Sequence, residues 1–148
     1  MTRRHETLVP LTHDHHHTLA QAKRLEKAAA EGDAARAAAA GDFVNFYLGR
    51  AVRHFHEEEE LFFAPLVDDP TAGPLVMRAV TEHLRLHALV RQVRRGLTGG
   101  AVPGELLSDV SRLLAEHVRF EERELLPLVE RLLPEEELQD LAGGRREV

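Results

Sequence analysis

Apolar residues recur along this chain at intervals of three and four, not two. Leu11, His15, Leu19, Ala22 and Leu25 share one helical stripe. Phe43, Tyr47, His54, Glu58, Leu61 and Phe62 share a second, and Val76, Val80, His83, His87 and Val90 a third. Val110, Leu113, His117, Glu121 and Leu128 make a fourth. This periodicity belongs to amphipathic helices. No segment shows sustained alternation or β-branched enrichment, so no strand is expected.

Breakers divide the chain at Pro10, Gly32-Asp33, Gly41-Asp42, Asp68 to Pro74, Gly96 to Gly104 and Pro134. Thr12 reads as an N-cap with Asp14 in the first turn, and Asp42 as the cap of the second long helix. Pro74 and Pro103 read as helix starts. The alanine-rich run from Ala34 to Ala40 reads as a short helix or helical linker. Pro65 and Pro127 each follow a histidine by about three turns, and each should kink or end its helix. Four long helices with short connections predict an all-α fold, an antiparallel up-down four-helix bundle. One domain is expected over residues 1–148, with the bundle over about 11–133. The tail, 134–148, should carry a short C-terminal helix to Leu141, with the closing GGRREV frayed. A weak internal echo joins HFHEEEELFFAPLV to HVRFEERELLPLVE, with their prolines one residue out of register.

Composition narrows the function. The 148 residues suffice for one full core, and 43% hydrophobic with 30% charged residues is ordinary globular usage. A net charge of -6 argues against nucleic acid or an anionic membrane surface as the partner. The absence of cysteine excludes disulfides, thiolate ligands and a Cys nucleophile. No apolar run approaches the roughly 18 residues of a membrane span. The N-terminal MTRRHETLVPLTHDHHH lacks the apolar stretch of a secretory signal, so a cytoplasmic protein is expected. The unusual feature is ten histidines.

Several of those histidines lie on the apolar stripes. His54 with Glu58, His83 with His87, and His117 with Glu121 stand four apart, one turn along the same face. His15 adds a group from the first helix. Taken singly, a histidine on an apolar stripe is a hydrogen-bonded core residue. By the same logic of charge runs, Glu57, Glu59 and Glu60 belong to a solvated acidic face. Jointly, three inward pairs and His15 would each cost several kcal/mol of desolvation without a compensating partner. A metal supplies one: imidazole and carboxylate suit iron, manganese or zinc. The zinc-protease HExxH is absent, since Leu84 follows His83 and Glu60 stands where His56-Glu57 would need its second His. The ferritin-type Glu-x-x-His is absent too: Ala51, Val80, Leu84 and Leu114 stand three before the candidate histidines. Tyr47, the sole tyrosine, reads as core packing, and no role is read for His5, His13, His17 or His56.

One His on the first helix, HFxxEE on the second, HxxxH on the third and HVxxEE on the fourth resemble the hemerythrin-like, or HHE, cation-binding domain. The resemblance spans about Leu11 to Leu133. It implies a four-helix bundle around a non-haem di-iron centre, oxo- or hydroxo-bridged. The ligands it implies are His15, His54, Glu58, His83, His87, His117 and Glu121, with Glu58 and Glu121 bridging. His16 stands as the alternative to His15, and Glu122 as the alternative to Glu121. Roughly twelve octahedral positions, less those ligands and an oxygen bridge, leave about one open to O2, peroxide or nitric oxide. The resemblance therefore implies an O2-binding or oxygen- or iron-sensing protein. A peroxide- or nitric-oxide-handling oxidoreductase is the alternative, and a redox-silent structural bundle a second.

Overall fold

A computed structural model describes residues 3–144, all in helices and their connections. Helix α1 covers Val9–Ala29. A second rod runs through 33–66. It comprises α2 (Asp33–Phe46), a wide π turn at Tyr47–Ala51, α3 (Val52–Glu57), a second π turn at Glu58–Phe63 and a 3-10 turn at Ala64–Leu66. Helix α4 (Ala72–Gly99) is the third rod. The fourth runs through 104–132, from α5 (Gly104–Phe120) through a π turn at Glu121–Leu125 into α6 (Leu126–Leu132). Helix α7 (Glu135–Gly144) follows. Both α1 and α4 pack on α2 and α5, so the rods close into the bundle that the stripes predict.

The core falls into two apolar clusters. One holds Leu11, Phe62, Phe63, Val76, Phe120 and Leu126, capped by Leu138 of α7. The other holds Leu25, Phe43, Tyr47, Phe55, Leu86, Val90 and Leu114. Along every rod the inward polar residues sit between the two: His15 between Leu11 and Ala22, His83 between Ala79 and Leu86. The bundle is thus apolar at both ends, with a polar slab across its middle.

Both helical rods that carry an acid after the histidine widen at that acid. Glu58 opens one π turn and Glu121 the other. Each turn ends two residues before a proline, Pro65 or Pro127, whose missing N–H leaves the carbonyl four residues back without its helical partner. Such turns concentrate at functional sites. The one-residue offset between the two echo segments has a counterpart here: the turn before Pro65 spans 6 residues and the turn before Pro127 spans 5.

Three sequence expectations need correction. Alpha-helix α1 begins at Val9, with Pro10 in its first turn, and the Thr12 hydroxyl donates to Glu122 instead of capping. Asp42 caps nothing: α2 runs unbroken from Asp33, because alanine is the strongest helix former and Gly41 costs only about 1 kcal/mol. Helix α4 likewise continues through Gly96 and stops only at Gly100, whose φ of 94° suits glycine. The fraying expected of GGRREV falls outside the described residues from Arg145 onward; Gly143 and Gly144 close α7.

Rod spacing at the start of α5 depends on Gly104. A β-carbon there would stand 2.4 Å from the Ala29 carbonyl oxygen, which is backbone and cannot swing away. Gly104→Ala should therefore push α5 off α1 and destabilise the protein by about 1–3 kcal/mol, read as a lower urea midpoint.

Candidate metal centre

Six side chains converge in the polar slab: His15, His54, Glu58, His83, His117 and Glu121. All are buried, and both glutamates are 0% exposed. They form two groups of potential ligand atoms. His15 and His54 with Glu58 and Glu121 make one; His83 and His117 with the same two glutamates make the other. Within each group the ligand atoms lie within 4.8 Å of one another. The two glutamates, one from each π turn, therefore stand between two histidine pairs.

All four histidines point Nε2 inward. The Nε2 atoms of His15 and His54 are 3.2 Å apart, and those of His83 and His117 are 3.1 Å apart. His15 Nε2 lies 2.9 Å from Glu121 Oε1, and His117 Nε2 lies 3.2 Å from it. Glu58 has His54 at 3.2 Å, His83 at 3.3 Å and His15 at 3.6 Å. Even so, both Glu58 oxygens and Glu121 Oε2 are buried without an aligned hydrogen bond.

Every Nδ1 points outward, onto a carboxylate. His15 meets Glu122 at 2.7 Å, His54 meets Asp14 at 3.0 Å, His83 meets Glu59 at 2.7 Å and His117 meets Glu82 at 2.8 Å. Each of these four acids is next in sequence to an inner residue and holds a histidine on a different rod. Asp14 and Glu82 precede His15 and His83; Glu59 and Glu122 follow Glu58 and Glu121. The two halves of the chain thus interlock by the same rule: acid-His on the first helix, then His-x-x-x-Glu-Glu on the second. Carboxylates behind histidines fix the ring orientation and tautomer that a ligand needs. Glu82→Gln and Glu122→Gln should each weaken metal binding by about 10–100-fold, measured by competition with a chromophoric chelator.

Burial opposes charge on each of these imidazoles, and the carboxylates overcome it. Despite burial, the nearby charge of Glu58 and the hydrogen bond to Asp14 raise His54 to about 9. Against burial again, Glu121 and Glu82 raise His117 to about 10. His15 and His83 are raised by their glutamates in the same way. Glu58, pushed up by burial, is held well below the usual carboxylate range by His54, His15 and His83. Protonated imidazoles offset carboxylate charge in the slab, but two protonated Nε2 atoms at 3.1–3.2 Å cannot bond to each other. Cations would satisfy the paired nitrogens and the unbonded carboxylate oxygens together. By donor type and by geometry, the residues fit metal ions.

The placement of the other candidates is mixed. His16 is exposed, while Glu122 serves the outer ring of carboxylates. His87 is exposed and belongs to neither group; its ring edge packs on Tyr47 and Phe55. The buried face of α4 follows Val76, Ala79, His83, Leu86 and Val90. At about 100° per residue, Leu86 and His87 flank His83 on opposite sides, and the bundle takes the Leu86 side. The acidic run divides: Glu57 is buried, Glu58 is central, Glu59 holds His83 and Glu60 pairs with His56 at the surface. Solvation therefore fails as a description of Glu57. On sequence reasoning alone Glu122 stands only as an alternative ligand and none of the outer carboxylates has this role; the doubled acids and acid-His doublets were the available signal. Tyr47 packs among Phe43, Phe55 and His87.

Fold and site together define a helical bundle built around buried His/Glu groups able to hold cations. The model of the hemerythrin HHE cation-binding domain matches residues 8–129. The chain belongs to that family. Searches of curated proteins and of solved structures each returned no match. No described helix is long and apolar enough to cross a membrane.

Proposed function

We propose that this chain is a non-haem di-iron protein that binds O2 or senses oxygen or iron. The observation that supports it most is the sharing of Glu58 and Glu121 by two otherwise separate histidine pairs. His15 and His54 would hold one ion and His83 and His117 the other, with both glutamates spanning them. When bound, an iron pair supplies electrons to a small oxidant. With His87 outside the groups, four histidines, four carboxylate oxygens and an oxygen bridge would leave roughly two of twelve octahedral positions for exogenous ligands.

The protein's own part is to orient and to shield. Phe55 stacks on His83 at 4.0 Å and Phe63 flanks the same ring at 6.3 Å, which keeps water from that side. A cavity of about 500 Å³ opens on the His54 side, lined among others by Thr7, Asp14, Arg53 and Glu57. It would admit a small ligand to the His54 edge of the slab.

The test is optical. Iron-loaded protein, reduced without air, is exposed to O2 and then returned to anaerobic conditions. A visible band that appears and reverses is the expected result. Consumption of peroxide or nitric oxide with turnover would favour the oxidoreductase instead. A colourless protein holding manganese or zinc, or no metal, would overturn the di-iron reading.

A further inference from the structure

We propose that the exposed histidines of α1 form an external capture site for a divalent cation and feed the buried centre through His54. The HDHHH run is only partly absorbed by the centre: Asp14 and His15 face inward, while His13, His16 and His17 are exposed. All three lie beyond the first turn of α1, which begins at Val9, so helix capping does not account for them. On a helix, His13 sits one turn from both His16 and His17, spacings at which two imidazoles reach one ion. The rings of His13 and His16 already stand 6.3 Å apart. Two imidazoles bound at about 2.0–2.1 Å to a shared ion bring their ring centres to roughly that separation or closer. As placed, the three rings do not converge on one point. They are exposed, and exposed side chains exchange rotamers within about nanoseconds.

A path inward starts at the same place. His17 lines a crevice with Asp14, Thr18, Arg50 and His54, and its volume of about 10 Å³ holds roughly one water. Asp14 reaches His54 Nδ1 at 3.0 Å. The Asp14 and His54 pair also borders the larger cavity, so both openings meet there. A cation released from His17 would meet the Asp14 carboxylate next and then the edge of the centre. Imidazole donors select a borderline ion such as Zn2+ or Fe2+ over Mg2+ or Ca2+.

Capture stands apart from the centre's function; feeding rests on the proposed centre. The probe for capture is Zn2+, added in a calorimeter to full-length untagged protein already loaded with metal. Wild type should bind about one further Zn2+ per chain, and the His13→Gln/His16→Gln/His17→Gln variant none. His56→Gln, at another exposed histidine, should behave as wild type. Feeding is read by mixing metal-free protein with Fe2+. The triple variant should reach the same final iron content severalfold more slowly. Equal Zn2+ uptake by wild type and triple variant, or equal loading rates, overturns the proposal. If instead neither protein takes iron into its interior, the centre itself is refuted, and the Zn2+ titration, run on the metal-free protein, still decides capture.

Discussion

On the proposed two-ion reading, Glu58→Gln is expected to strip both cations from the chain, not one. Glu58 belongs to both ligand groups and touches three of the four inward histidines. An amide keeps the size of the side chain but supplies one neutral oxygen where a pair of ions would need a charged, two-ended acceptor. Elemental analysis of purified protein should show metal falling from about two ions per chain to near none. Loss of one ion only would show that Glu58 serves a single group. The paired control is His87→Gln, which should retain full metal content, since His87 lies on the exposed flank of α4. A drop in metal for that variant would restore His87 to the ligand set and require α4 to rotate.

Chelation should produce the second large effect. An ion present at a thousand times its Kd stabilises the folded chain by about 4 kcal/mol, and two sites act together. For a domain of this size each kcal/mol moves Tm by about 2–4 °C, so removal of both ions should lower Tm by more than about 10 °C. The effect has a pH sign. In the metal-free protein His54 and His117 are raised to about 9 and about 10, above the ordinary 6.5. Their contribution is complete below pH 6.5 and is lost as the pH rises through 9 and 10. Glu58 is depressed below its ordinary 4.5, so its contribution is present above that pH and is lost in acid. Metal-loaded protein needs its imidazoles neutral and has no such protons to lose. The Tm gap between loaded and chelated protein should therefore widen from pH 6.5 to 10, and metal uptake should release protons at pH 7. A gap that narrows over that range would show that the histidines are not protonated in the metal-free slab.

The stripes carried most of the fold. Their three-and-four spacing places His15, His54, Glu58, His83, His117 and Glu121 inward without any coordinates, because helical phase is local and cumulative along each rod. The errors arose where a neighbour, not the helix itself, chooses the outcome. At Gly41 and Gly96 the signal for a break was present, but each glycine costs only about 1 kcal/mol, and the alanine run before Gly41 and the burial of Phe43 and Val93 in the core outweigh it.

What the amino-acid sequence determined alone was therefore the number of rods, their apolar faces and the presence of acid and imidazole on those faces. What only the tertiary structure decided was which ring meets which acid. Glu58 and Glu121 become common to two histidine pairs, and Asp14, Glu59, Glu82 and Glu122 each hold a ring on a different rod. His87 is left at the rim because α4 turns its Leu86 flank to the core. Periodicity states the angle of a residue about its own helix axis to within about 40°, whereas a ligand contact depends on ångström distances between helices far apart in the chain. Those distances are set by side-chain packing across the bundle, to which no single helix has access.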